Sequence, residues 1–100
     1  MAFGGGLQIA LGADARYAAA DLRMSAMEIK WGIVPDMAGC VLLSELAGPD
    51  VVRELTYSGR IVSAAEAQAI GLVTHVCDDP LAAARAAAKE IAERNPDAIR

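Results

Sequence analysis

The sequence is short of basic residues, and this argues against nucleic acids as partners. It has 9 Lys and Arg residues against 13 Asp and Glu residues, which gives a formal net charge of −4. No run of basic side chains is present to pair with a phosphate backbone. The mild acidic balance mainly favours solubility, so we predict no nucleic-acid partner.

Cysteine is equally scarce. Cys40 and Cys77 lie far apart, they form no CxxC pair, and the sequence contains a single histidine. This spacing does not fit a metal site, so none is predicted. Both cysteines are expected to be reduced, buried, small apolar residues, as is usual in a cytoplasmic protein.

Long apolar runs are absent as well. No stretch reaches the roughly 18–20 apolar residues that a membrane span needs, and the N-terminus lacks the basic segment of a signal peptide. We therefore predict a cytoplasmic protein without a membrane partner. Met1-Ala2-Phe3 leads directly into glycines with no preceding strand, which suggests that these 100 residues are a piece of a longer protein.

Aromatic residues make up only 4% of the sequence, so the core is expected to consist of Ala, Leu, Val and Ile. Apolar periodicity, caps and breakers predict strands first and helices later. The predicted strands or extended pieces are 16–19, 22–25, 28–30 and 72–76. The predicted helices are 6–13, 37–46, 49–57, 63–70, 79–94 and one that starts at 95. The predicted inner stripe of the 79–94 helix is Leu81, Ala84, Ala88 and Ile91.

Gly4-Gly5-Gly6 is the first candidate for chemistry. Glycines that open a helix point backbone N–H groups outward at the positive end of the helix dipole, where they can hold a phosphate or a developing oxyanion. The run matches neither GxGxxG nor GK[ST], so both nucleotide fingerprints fail. The alternative is a tight turn where a strand meets a helix.

Glu28 is the second candidate. It is a lone carboxylate within a largely apolar segment that runs from Met27 to Pro35. A carboxylate in apolar surroundings suits acid/base work. The alternative is a solvated glutamate, or a surface pair between Glu28 and Lys30, because charged residues are mostly exposed.

Several motifs follow one another in order along the chain. They are AFGGGLQ (2–8) with AD (13–14), LRMSAME (22–28) with GIVP (32–35), TYSGRI (56–61), SAAEA (63–67) and GLV (71–73). They resemble the A-x-G-G-G-x-E…x-D, F-x-x-P-E…G-x-x-P and TG-[RK]-x-[IL] motifs of the crotonase family, the enoyl-CoA hydratases and isomerases. The resemblance covers nearly the whole chain.

The resemblance implies an α/β fold, a crotonase-like βα spiral fragment followed by helices. Residues of about 1–47 would be the end of the spiral core and carry the site. Residues of about 48–100 would be the mainly helical C-terminal part. Family members usually assemble as homotrimers or hexamers, and we expect the same of the full-length protein.

The resemblance also implies an acyl-CoA thioester as substrate, so coenzyme A belongs to the substrate and no separate cofactor is expected. Gly4, Gly5, Gly6 and Pro35 would contact the substrate. The Gly5 amide would supply one of two N–H groups that hold the thioester oxygen as an enolate. The other amide would come from an earlier segment of the family fold, so the 100-residue piece is expected to be inactive alone.

The acid/base positions depart from the family pattern. Glu28 occupies the second glutamate position, whereas the first holds Gln8, whose amide can hydrogen-bond a water but cannot accept its proton. Asp36 stands where dienoyl-CoA isomerases of this family carry an aspartate, and it is also a candidate N-cap for the helix that follows. We therefore expect an enoyl-CoA isomerase or hydratase (a lyase) of fatty acid metabolism, with Glu28, Gly5, Gln8 and Asp36 as catalytic residues. The alternative is a non-catalytic acyl-CoA-binding or assembly paralogue.

Overall fold

The computed structural model describes residues 1–100 and shows short strands interleaved with helices. The five strands are β1 (Ala2–Phe3), β2 (Tyr17–Ala18), β3 (Arg23–Ser25), β4 (Val62–Ser63) and β5 (His75–Val76). The six α-helices are α1 (Gly5–Leu11), α2 (Gly39–Leu46), α3 (Pro49–Ser58), α4 (Ala64–Ala69), α5 (Pro80–Ala92) and α6 (Pro96–Ile99), and a 3₁₀ helix spans Met27–Trp31. The predicted α/β class is confirmed.

The strands form two small sheets. In the three-stranded sheet the order is β1-β3-β4, with β1 and β3 parallel and β4 antiparallel to β3. Met24 is the central residue, opposite Ala2 on one side and Val62 on the other. The second sheet pairs β2 with β5 in parallel. Because β1, α1 and β3 make a parallel crossover, α1 lies against the sheet and its first turn is held at the end of β1.

A single core of small aliphatic side chains lies between the sheets and the helices. Eleven buried residues form it: Leu7, Leu11, Ala18, Met24, Ala26, Leu43, Leu55, Val62, Ala67, Leu72 and Val73. Leu43 of α2 and Leu72 are each only 1% exposed. The predicted stripe on α5 is wrong, because Leu81 and Ile91 are exposed and no residue of α5 is buried.

Local capping signals were informative at the later helices. Asp79 Oδ1 accepts the Ala82 N–H of α5 over 3.0 Å, and Asn95 Oδ1 accepts a first-turn N–H of α6. The sequence Ser63-Ala64-Ala65-Glu66 is typical of a capping box, but at α4 the box is only half formed. Ser63 Oγ accepts the Glu66 N–H over 3.3 Å, but the Glu66 carboxylate turns away from the helix end and binds Arg60 instead.

Arg60 joins α3 to α4 through two carboxylates. Its guanidinium donates to both oxygens of Glu54 and to both oxygens of Glu66, at distances of 2.6 to 3.0 Å. These hydrogen bonds lower the pKa of the Glu54 and Glu66 carboxyls from their ordinary range and raise the pKa of Arg60. The bridge therefore fixes the loop between α3 and α4 most firmly when both carboxylates are ionised.

Gly71 ends the α4 turn in a conformation that only glycine adopts easily. Its φ is +92°, and a Cβ at this position would overlap the backbone carbonyl oxygen of Leu46 at the end of α2. The chain thus passes directly against α2 before it enters the segment that leads to β5.

Three further predictions are wrong: the conformation around Glu28, the start and cap of the helix predicted from residue 37, and the burial of the two cysteines. The piece around Glu28 is a 3₁₀ helix rather than extended, and it ends at Gly32, whose φ of +70° is the usual left-handed C-terminal conformation. The helix predicted from residue 37 begins at Gly39, so Asp36 does not cap it. Cys40 is exposed and Cys77 half-buried, although both are free thiols as predicted.

None of the helices combines the length and the apolar character needed to cross a membrane.

Candidate active site

A cleft opens between the glycine turn after β1 and the 3₁₀ helix after β3. Its volume is about 280 Å³, and the residues that line it are Phe3, Gly4, Gly5, Met27, Glu28, Trp31 and Ile33. Because β1 and β3 are parallel neighbours, the segments that follow them emerge at the same edge of the sheet. The fold therefore brings the two sequence candidates, the glycine run and Glu28, to one surface.

The glycine turn presents backbone to this cleft. Gly4 has a φ of +52°, its N–H donates to the Ser25 carbonyl of β3 over 3.0 Å, and α1 begins at Gly5. A side chain on Gly4 would add strain and would come within 3.6 Å of Glu28 Oε1. First-turn amides such as that of Gly5 have no acceptor within their own helix and lie at its positive end.

Glu28 is a buried carboxylate at the wall of the cleft. The residue is only 6% exposed. Its Oε1 accepts a hydrogen bond from Gln8 Nε2 over 2.8 Å, whereas its Oε2 is buried without any hydrogen-bond partner. The 3₁₀ helix that carries it follows Ser25, whose hydroxyl donates to the Gly59 carbonyl over 2.8 Å. A firmly held carboxylate with one unpartnered oxygen is able to take up or release a proton.

Gln8 lies behind Glu28 and does not line the cleft. It is 4% exposed. Its Oε1 accepts the N–H groups of Met37 over 2.7 Å and Gly39 over 2.9 Å. Gln8, a residue of α1, therefore caps the start of α2, the role that the local sequence predicted for Asp36.

The remaining predicted site residues do not join the cleft. Gly6 is exposed on α1 with open space around its Cα, and Asp36 is exposed in the loop before α2. Pro35 is half-buried in the same loop, where its carbonyl accepts the Cys40 thiol over 3.7 Å. No group of three or more His, Cys, Asp or Glu side chains is placed to hold a metal ion.

Four apolar residues that sequence reasoning did not assign to the site line the cleft: Phe3, Met27, Trp31 and Ile33. Trp31 is 78% exposed and lies at the end of the 3₁₀ helix, just before Gly32. The cleft thus has apolar walls around one carboxylate and one backbone turn, the usual composition of a small-molecule site.

Comparison with known proteins gives one consistent result. Residues 1–100 match the family model described as enoyl-CoA hydratase/isomerase. The chain is 40% identical to enoyl-CoA hydratase domain-containing protein 2 of Bos taurus over an alignment of 105 residues. This match covers 99% of this chain and 36% of that protein. It is also 38% identical over 100 residues to a probable enoyl-CoA hydratase of Mycobacterium tuberculosis, and this match covers 98% of this chain and 38% of that protein.

A solved structure agrees with these relatives. The crystal structure of an enoyl-CoA hydratase of Mycobacterium paratuberculosis matches with a TM-score of 0.92 at 34% identity, and the match covers 99% of this chain and 45% of that one. This chain therefore spans less than half the length of each of these proteins.

Proposed function

The chain belongs to the enoyl-CoA hydratase/isomerase (crotonase) family, and from this we propose that the full-length protein acts on an acyl-CoA thioester with Glu28 as its acid/base. The observation that carries the proposal is the buried Glu28 carboxylate in the cleft. One of its oxygens is held by Gln8 and the other has no partner. Coenzyme A would enter as part of the substrate.

The proposed reaction moves a double bond. The Glu28 carboxylate takes a proton from carbon, the C–H bond breaks, and its electron pair moves to the thioester oxygen to form an enolate. Glu28 then returns the proton to a different carbon, which regenerates the carboxylate. The Gly5 amide, at the start of α1 beside the carboxylate, would donate one of the hydrogen bonds that stabilise the enolate oxygen.

Isomerisation is preferred to hydration because of Gln8. Adding water across a double bond needs a group that deprotonates the water as well as one that protonates carbon. An amide cannot be that base, and both the oxygen and the nitrogen of Gln8 already bind protein groups. Double-bond movement needs a single group that accepts and returns one proton, which Glu28 can provide.

The same residue favours a second candidate, a non-catalytic acyl-CoA-binding or assembly paralogue. A second carboxylate is missing beside Glu28, and this would fit a site that has kept its shape and lost its reaction. Turnover of a short enoyl-CoA separates the two candidates, because the paralogue would bind the thioester without converting it.

We further propose that the cleft lies within a spiral-core part of about 1–47 and that the full-length protein is a cytoplasmic homotrimer or hexamer. Every residue that lines the cleft precedes residue 47, which supports the first statement. Exposed Ile33, Val34 and Val41 are apolar surface of the kind that subunits cover. Size-exclusion chromatography of the full-length protein with light scattering tests the assembly.

The decisive test of the function is Glu28→Gln in the full-length protein. Short-chain 2-enoyl-CoA and 3-enoyl-CoA are the probes, and both shifted enoyl-CoA and 3-hydroxyacyl-CoA are measured. Loss of the acid/base group should lower kcat by about 10²–10⁴-fold, with little change in KM. Glu93→Gln, the same change at an exposed position after α5, is the matched control and should keep wild-type rates. Wild-type rates in Glu28→Gln would refute the assignment and favour the paralogue.

A further inference from the structure

We infer that Gln8 is a positioning residue: it ties the Glu28 carboxylate to the start of α2 and so fixes its position at the wall of the cleft. The kinetic part of this inference rests on the proposed role of Glu28. The geometric part rests on three hydrogen bonds of one buried side chain, which join α1, the 3₁₀ helix and α2.

The donors and acceptors around Gln8 suit an amide. Two backbone N–H groups point at its Oε1, so an acceptor is needed there, and the Glu28 carboxylate faces its Nε2, so a donor is needed there. An ionised carboxylate at position 8 would place two negative oxygens 2.8 Å apart. A methionine has a similar shape but would satisfy neither partner.

The oxygen of Gln8 also holds an unusual turn. Ala38 lies between the two donating amides and has a φ of +63°, a left-handed conformation that non-glycine residues adopt at a cost. Two N–H groups on either side of such a residue converge on a single acceptor, as in an anion-binding nest. Gln8 thereby links the position of Glu28 to the conformation of the loop that precedes α2.

The Gln8 side chain packs closely against the backbone of Gly39. A Cβ on Gly39 would lie 2.6 Å from Gln8 Oε1 and 2.8 Å from its Cδ and Cγ. The first residue of α2 must therefore be glycine for the side chain to sit as it does. Since Gln8 does not line the cleft, its effect on the reaction must pass through Glu28.

The test is Gln8→Met in the full-length protein, with 3-enoyl-CoA as the probe. Without its hydrogen bond Glu28 is free to shift, and a displacement of about 1 Å can lower kcat by about 100-fold. KM should stay within twofold because the cleft surface is unchanged. Gln68→Met, the same change at an exposed position of α4, is the matched control and should keep wild-type kcat.

A second variant separates positioning from simple stabilisation. Adding Ala38→Gly to Gln8→Met relieves the left-handed strain, so the melting temperature should recover towards the wild-type value. The positioning role predicts that kcat nevertheless stays low, because the bond to Glu28 is still missing. Recovery of kcat together with stability would overturn the inference, and so would a wild-type kcat in Gln8→Met when Glu28→Gln is inactive.

A crystal structure of Gln8→Met decides the geometry independently of activity. A displaced Glu28 carboxylate supports the inference, and an unmoved one overturns it. If Glu28→Gln keeps full rates, the proposed function fails on its own, and the position of Glu28 in this structure still decides whether Gln8 fixes it.

Discussion

Replacing Glu28 by glutamine should stabilise the protein while it removes activity. The side chain is buried, and its Oε2 has no hydrogen-bond partner. A glutamine of the same shape keeps the contact with Gln8, because its carbonyl oxygen can accept the Gln8 Nε2 hydrogen at the position of Oε1. The substitution therefore removes a charge from a buried site with little change in packing.

Two opposing terms set the size of the effect. A buried polar atom without a partner costs about 1–3 kcal/mol, and more when it is charged. The amide nitrogen that replaces Oε2 stays unpartnered, so the substitution relieves only the part of this cost that is due to the charge. The bond from Gln8 becomes a neutral one, which loses about 1 kcal/mol relative to a charge-assisted bond. The relief of the buried charge exceeds this loss, so we expect the free energy of unfolding to rise by about 1 kcal/mol.

Urea unfolding of wild type and Glu28→Gln at pH 7, followed by circular dichroism, measures this difference. Glu93→Gln is the matched control, since an exposed glutamate should change stability by less than about 0.5 kcal/mol. If Glu28→Gln lowers the free energy of unfolding by 1 kcal/mol or more, the carboxylate is a stabilising element. The account of Glu28 as a buried carboxylate with an uncompensated oxygen would then be incorrect.

Two further predictions concern stability away from the cleft. Gly71→Ala should lower the free energy of unfolding by about 2–5 kcal/mol, because the new side chain adds strain at positive φ and overlaps backbone. Gly6→Ala is the control and should not be destabilising, because its new Cβ meets nothing within 4 Å. Urea unfolding of both variants measures the difference. Arg60→Gln should lower stability at pH 7 and lose its effect in acid. The lowered pKa values of Glu54 and Glu66 give stability that is present above the ordinary glutamate pKa of about 4.3 and lost as the pH falls below it through the folded values. An equal deficit at pH 7 and pH 3 would contradict this.

Sequence patterns predicted those features that depend on neighbouring residues. Asp79 caps α5 through a residue only a turn away, so its role was visible in the sequence. The cap of α2 was assigned to Asp36 by the same reasoning, but the acceptor is Gln8, which lies 29 and 31 residues from the two donors. A local pattern cannot reveal a partner that only the fold brings close.

The residues that line the cleft were predicted only in part, again because the fold decides which residues meet. Glu28 and Gly5 were identified from motifs, and the structure places both on one cleft, but Gly6, Pro35 and Asp36 lie outside it. Trp31, which no motif marked, is exposed at the end of the 3₁₀ helix and lines the same cleft. Motifs indicate which residue types are present at a site, whereas backbone direction decides which of them face it.

The pairing of β2 with β5 sets an order of assembly during synthesis. Arg16, just before β2, bonds to Thr74, which follows it by 58 residues, and the strands beside them pair in parallel. The ribosome must therefore add 58 residues after Arg16 before β2 meets its partner, whereas β1 can pair with β3 once Ser25 has emerged. Closing a long loop is slow relative to local contacts. The glycine turn and Glu28 can thus already lie beside paired strands while the edge of β2 is still unpaired.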